Sequence, residues 1–264
     1  MKKTAAVLAL VVLLAPALCM AQAKGPSFSF SLLKPEIENT KMLNSAMLFN
    51  VQYPLNENLT VMATIPYAMW QPDIAGMDNE SALGNPSVGV MGSLNESLGF
   101  HFAAGLPFAS EELASWSALM VGMLASMPSY WHFATMSAFV EGGVDWWKMM
   151  DSGLGFFAGG GFSWVLPEEE GVAELYLPFY GGALYNLDVA MVGVGLEGHY
   201  WLSKGDVSAD AIVWGLNLGA EFPLGAFTPH VYYTMPLNED WANEDTGAGI
   251  SSVIGIGFKY TIMK

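Results

Sequence analysis

Arginine is absent from all 264 residues, and lysine occurs only nine times. Nucleic acid is therefore not expected as a partner, because phosphate binding needs clustered Lys and Arg. An anion-selective pore is disfavoured for the same reason, since rings of Arg or Lys select anions. Cysteine occurs once, at Cys19, which leaves no disulfide framework and no thiolate metal cluster. Charged residues are scarce at 13%, against about 25% in soluble domains. Long apolar runs are scarce too. Beyond the N-terminus no run reaches the ~18–20 residues of a membrane helix, although 53% of the chain is hydrophobic.

Acidic residues, by contrast, are plentiful: twenty-five Asp and Glu give a formal net charge of −16. The N-terminus has the form of a secretory signal. Lys2 and Lys3 supply a positive start, Ala5–Leu14 an apolar core, and Ala21-Gln22-Ala23 a small-x-small cleavage site. The expected organisation is a signal peptide over 1–23 and one domain over 24–264. A lipid anchor on Cys19 is the weaker alternative, because the preceding residue is Leu18 rather than a small one.

What fills the rest is alternation. In 249–262, Ile250, Ile254, Ile256, Phe258, Tyr260 and Ile262 share one parity, and Gly249, Ser251, Gly255, Gly257, Lys259 and Thr261 the other. Successive side chains of a strand point to opposite faces, so such a strand is greasy on one side and small or polar on the other. The pattern recurs in about twelve segments: 27–33, 42–53, 58–69, 83–94, 97–108, 132–146, 153–165, 172–184, 189–201, 207–221, 226–235 and 249–262. The expected fold is all-β, a transmembrane up-and-down antiparallel β-barrel of about twelve strands, apolar toward lipid and polar toward the lumen. Connections alternate between tight turns (Pro54–Glu57, Asn95–Glu96, Tyr185–Asp188, Pro223–Gly225) and longer acidic loops (Gln71–Ala82, Pro167–Gly171, Pro236–Ala248). Tight turns face the periplasm in such barrels, which orients both termini inward to the cell.

One segment breaks the period of two. Leu113, Trp116, Met120, Met123 and Met127 recur at spacings of three and four, a helical stripe. Ser110 ahead of Glu111 and Glu112 suits an N-cap with acids in the first turn. The spacing predicts a helix over 110–127 in an outward connection, its Met-rich stripe against barrel wall or lumen. The competing reading is a short strand ending irregularly at Pro128.

The segment Leu83-Gly84-Asn85-Pro86-Ser87-Val88-Gly89 resembles the Leu-Gly-Asp/Asn-Pro-x-x-Gly strand start of the outer-membrane family named for the meta-pathway of phenol degradation. Val61–Tyr67 is similar to the strand before it, and Gly105-Leu106-Pro107-Phe108-Ala109-Ser110 to that family's Gly-x-x-x-Pro-Thr strand end. The likeness covers roughly 43–111. It implies a barrel-forming, transport-like protein. Its motifs are turn glycines and prolines, so it implies no catalytic group and no substrate.

Alternation assigns a lumen face. Candidate permeation residues on it are Glu141, Asp145, Glu174, Tyr176, Tyr180, Glu197, His199, Glu221, His230, Tyr232 and Lys259. Carboxylates on a lumen wall attract cations, so Glu141, Asp145, Glu197 and Glu221 predict cation preference in any open pore. Each has a plainer reading as a residue paired with Lys259 or a histidine, or left in water. Catalysis is not expected. The four histidines read His101-Phe-Ala, His132-Phe-Ala, His199-Tyr-Trp and His230-Val-Tyr, without the His-x-Ser that would place base and nucleophile on one strand face. No metal motif and no cofactor is expected. Asn238–Asp245 is rich in oxygen ligands but lacks the spacing of a calcium loop.

Two functional readings follow. One is passive or facilitated passage of small solutes, cationic or small aromatic and apolar, across the outer membrane of a Gram-negative-type bacterium. Its partners would be outer-membrane lipid and those solutes. The alternative is a structural or surface-interaction barrel whose lumen is filled by large inward residues such as Tyr176, Tyr180, Tyr232 and Phe157.

Overall fold

The computed structural model describes residues 25–37, 44–72, 78–109, 113–167, 172–203, 212–237 and 250–263. The segment 1–23, the capping residue Ser110 with its two acids, and the oxygen-rich loop 238–245 lie outside the described residues.

Thirteen strands form one antiparallel sheet. In chain order they are β1 (Ser27–Ile37), β2 (Ser45–Pro54), β3 (Leu59–Trp70), β4 (Glu80–Leu83), β5 (Ser87–Asn95), β6 (Leu98–Gly105), β7 (Ser137–Met149), β8 (Leu154–Pro167), β9 (Glu174–Asn186), β10 (Met191–Trp201), β11 (Ile212–Glu221), β12 (Phe227–Pro236) and β13 (Ile250–Thr261). Each pairs with its sequence neighbour, except that β4 and β5 both pair with β3 and not with each other, and β1 closes the ring on β13. The short β4 lies outside this count, since it extends the line of β5 along β3. The closed barrel therefore has the expected twelve strands. Each of the twelve ring strands is paired on both sides, the condition for strands to cross lipid. Among the described residues no helix is long and apolar enough to cross a membrane.

The outer wall is an apolar belt. Tyr53, Ile65, Val88, Phe102, Val144, Trp164, Leu196, Leu218 and Ile256 all stand exposed on it, as the lipid side of a barrel requires. Tight turns join β2–β3, β5–β6, β7–β8, β9–β10 and β11–β12 at one end. Gly153 and Gly225 take positive φ in two of these turns, a region open to glycine at little cost.

Two elements depart from the expected boundaries. The strand expected from residue 83 begins earlier, as β4, and is interrupted at Gly84-Asn85-Pro86. Thr64 faces Ser87 while Tyr67 faces Leu83, so one extra residue is inserted on the β4–β5 side. Pro66 and Pro86 flank this break, and neither can donate a ladder hydrogen bond. The bulge re-aims the chain and turns Asn85 into the lumen, where it is fully buried. The strand expected from 132 begins only at Ser137, because 127–132 is a 3-10 turn.

Residues 106–109 and 113–136 leave the ring and fill the half of the lumen remote from the tight turns. The helix in this segment, α1 (Leu113–Ala125), packs on β1, β2, β3 and β4. Pro128 follows it, and the 3-10 turn then reaches β10 and β11. Ala118, Leu119, Ala125 and Phe133 join Leu33, Leu48, Ala68, Val213 and Val253 of the wall in one buried cluster. On the other flank Trp131 packs with Phe139, Val165 and Tyr176.

The helix is where the spacing predicted it, but its most buried face is not the Met-rich one. Ala118, Leu119, Val121, Gly122 and Ala125 are buried, Met120 and Met123 half-buried, and Trp116 is 43% exposed. Close approach to the wall favours small side chains. Gly122 shows the fit: a Cβ there would run into the Phe133 ring.

Candidate functional site

Three side-chain ties hold the plug segment across the lumen. The first starts at the wall break. The Asn85 carboxamide donates to the carbonyl oxygens of Trp131 at 3.0 Å and Ala134 at 2.7 Å, and its oxygen accepts from the Ala109 amide at 3.0 Å. The Asn85 backbone amide also donates to the His132 carbonyl at 2.6 Å. One residue thus clamps both arms of the plug.

The second tie runs to β9. Tyr130 donates to Glu174 Oε2 at 3.0 Å, and Tyr176 donates to the same oxygen at 2.6 Å. Burial raises the Tyr130 phenol above its ordinary value, against the lowering effect of its hydrogen bond with Tyr176. It stays a neutral donor. The third tie runs to β7, where the Trp131 indole donates to Glu141 Oε2 at 2.9 Å. Two candidate permeation acids, Glu174 and Glu141, therefore also anchor the plug, and Tyr176 does so as well. Tyr176 stacks further on Trp201 at 5.8 Å and meets His199 edge-on at 5.1 Å.

Beneath Trp131 lies a cavity. Met62, Met91, His101, Trp131, Glu141, Ser163, Pro178 and Tyr180 line it. On its tight-turn side Asp145 is engaged by two neighbours. His101 Nδ1 approaches Asp145 Oδ2 at 3.1 Å, and the Tyr180 hydroxyl donates to Oδ1. The register explains how. Asp145, Gly159 and Tyr180 form one row across β7, β8 and β9. With no side chain on Gly159, the Tyr180 ring lies over it and reaches the carboxylate. A Cβ on Gly159 would collide with that ring, and one on Gly143 would crowd His101. Inward glycines of this sheet are beds for cross-strand rings as much as open lumen.

The remaining candidates sit elsewhere. Glu197 is 1% exposed, and neither of its oxygens has a hydrogen bond among the described residues. The Asn217 carboxamide is its polar neighbour. Glu221 and Lys259 interact electrostatically nearer the tight-turn end. His230 stacks on Tyr232 at 5.5 Å. Its Nε2 also lies 3.3 Å from Ser31 Oγ, a Ser–His contact that no search for His-x-Ser could find, because the two are 199 residues apart in sequence. Ser31 is fully buried, and no described carboxylate is hydrogen-bonded to His230. The contact is a packing contact. Among the described residues no group of three or more metal-binding side chains occurs.

No known family profile and no curated protein sequence matches the chain. Solved structures do. An outer membrane channel from Pseudomonas putida F1 aligns with a TM-score of 0.59 at 10% identity, over 90% of this chain and 96% of that one. LpxR from Salmonella typhimurium aligns at 0.54 with 10% identity, over 89% and 100%. The P. putida toluene transporter TodX aligns at 0.51 with 8% identity, over 94% and 93%. The shared property is the fold. This chain has the architecture of outer-membrane β-barrels.

Proposed function

We propose that the chain is an outer-membrane barrel that passes small solutes through a lumen gated by residues 106–136. The observation that carries this reading is the plug itself. It is a chain segment inserted between β6 and β7, packed on the wall through buried apolar clusters and tied to it by a few side-chain hydrogen bonds, standing above a cavity lined by apolar and acidic side chains. Two of the neighbours in fold are named as a channel and a transporter, which fits the reading.

Cation preference follows from the acids that stay accessible. Glu197 is walled off, and Asp145 is occupied by His101 and Tyr180. Glu141 and Glu221 remain to set the sign. Solute uptake into liposomes tests the proposal. Protein-loaded vesicles should admit small cationic and apolar solutes faster than empty ones. Equal rates for every solute would favour the second reading, a filled structural barrel, which the buried clusters around Phe133 and Trp131 support.

A further inference from the structure

Four oxygens on the inner face of β10, β11 and β12 have no hydrogen-bond partner among the described residues. They are both carboxylate oxygens of Glu197, the carboxamide oxygen of Asn217 and the hydroxyl of Thr234. None of the three residues is more than 1% exposed. Register brings them together. Asn217 faces Thr234 across β11–β12, while Glu197 faces Gly215, which makes Glu197 the diagonal neighbour of Asn217 on the same face. Diagonal neighbours lie within reach of a long side chain. The groups that could compensate Glu197 are engaged elsewhere. Tyr180 faces it from β9, yet the Tyr180 hydroxyl goes to Asp145. His199, two residues along, packs its ring with Tyr130, Trp131 and Tyr176. The Tyr232 ring lies over Gly255 of β13. Above these strands the plug closes the lumen, its 3-10 turn against β10 and β11.

We propose that Glu197, Asn217 and Thr234 hold one monovalent alkali cation on the inner wall of the barrel. The proposal goes beyond the transport reading and does not rest on it. A carboxylate taken out of water is costly unless a charge or hydrogen bonds compensate it. The Asn217 carboxamide is its polar neighbour, and two N–H groups cannot answer a carboxylate with about four acceptor positions. A cation can. Carboxylate, carboxamide and hydroxyl oxygens together form a set for a hard cation, with no sulfur or imidazole to favour a softer metal. The charge count selects the valence. One carboxylate is neutralised by one monovalent ion, whereas a divalent ion would leave a positive charge enclosed. Calcium also takes more oxygens than this set supplies.

Thermal unfolding of the detergent-solubilised full chain tests this, with the midpoint read from heat-modifiable gel migration. Sodium, potassium and choline chloride are compared at one pH and one ionic strength. An ion bound only by the folded barrel raises the midpoint as its concentration grows. Sodium or potassium should raise it saturably by several degrees over choline. Glu197→Gln keeps the shape and removes the charge, so the difference between the salts should vanish. Thr234→Val should weaken the apparent affinity for the alkali ion severalfold, and it carries the test if Glu197→Gln does not fold. Glu57→Gln, in the exposed β2–β3 turn, controls for loss of one negative charge and should keep the full shift. Equal midpoints in all three salts, or a shift that survives Glu197→Gln, would overturn the assignment. Calcium stabilising more than sodium at equal ionic strength would overturn the monovalent choice. A carboxylic-acid infrared band present in sodium and lost in Glu197→Gln would put a proton in the cation's place. Solute uptake does not enter this experiment, so its failure leaves the transport reading standing.

Discussion

The Asn85 carboxamide donates to the Trp131 carbonyl at 3.0 Å across the lumen, from a fully buried position in the one interruption of the β4–β5 line. Wall defect and plug are thus a single construction. The bulge exists where prolines 66 and 86 weaken the ladder, and it aims inward the residue that grips the plug. Leu83-Gly84-Asn85-Pro86, read in sequence as turn chemistry, is the hinge of that grip.

Asn85→Ala should loosen the plug without opening the ring. Three side-chain hydrogen bonds disappear, leaving two buried carbonyls and one amide to be satisfied otherwise. At about 1 kcal/mol per bond and more for stranded groups, the seating should weaken by roughly 2–4 kcal/mol. Limited proteolysis and amide exchange check this. Cleavage within 106–136 should accelerate while the barrel keeps its heat-modifiable migration. Uniform loss of the whole barrel would show that Asn85 is a wall residue only.

Trp131 and Glu141 should be energetically coupled. The indole N–H meets a carboxylate at 2.9 Å. Trp131→Phe, Glu141→Ala and the double variant form a cycle whose interaction term should fall in the range of about 0.5–3 kcal/mol seen for contacting residues. The readout is plug exchange protection. Additivity within error would mean that the hydrogen bond holds nothing.

Gly159→Val should detach Tyr180 from Asp145. The added branches occupy the space where the Tyr180 ring lies over β8. Displacing a packed ring costs typically 1–3 kcal/mol. A crystal structure or tyrosine-resolved NMR should show the Tyr180 hydroxyl off the carboxylate. A Tyr180 still bonded to Asp145 would sink this explanation of the glycine.

Acid should destabilise the plug through His132. Burial holds this histidine below its ordinary value of 6.5, against the raising effects of the Glu141 charge and the Asn85 backbone. The seated state therefore binds fewer protons than the released one. By linkage its stability is complete above about pH 6.5 and falls as pH drops below that, toward the lowered value. Exchange protection of 127–136 should decline as pH falls below about 6.5. His132→Gln should flatten the decline, and an unchanged profile in that variant would assign it to another group.

Much of this molecule is legible in its alternation. Period-two patterning gives the strands and their inward faces, because a closed wall has lipid on one side and polar groups on the other. Glu141, Asp145 and Tyr180 are placed inward by parity alone. Which partners they meet is not given by parity, because His101, Gly159 and Trp131 reach them through register and a long connection. The helix is legible from its spacing, but its buried face is not. A helix inside a lumen has apolar surroundings on several sides, so the larger stripe does not identify the tighter contact. The outward start of β4 is hidden by Gly84 and Pro86, which read as the end of a loop. Ser31 and His230 lie near opposite ends of the chain and meet only because β1, β12 and β13 are neighbours in the closed ring.

Single-channel recording in planar bilayers, wild type beside Asn85→Ala, tests the gated-lumen account most directly. The account predicts brief openings of the wild type, longer and more frequent ones in the variant, and a reversal potential in a salt gradient that shows cation preference in both. Silence of both proteins at all voltages, or anion preference in either, would contradict it.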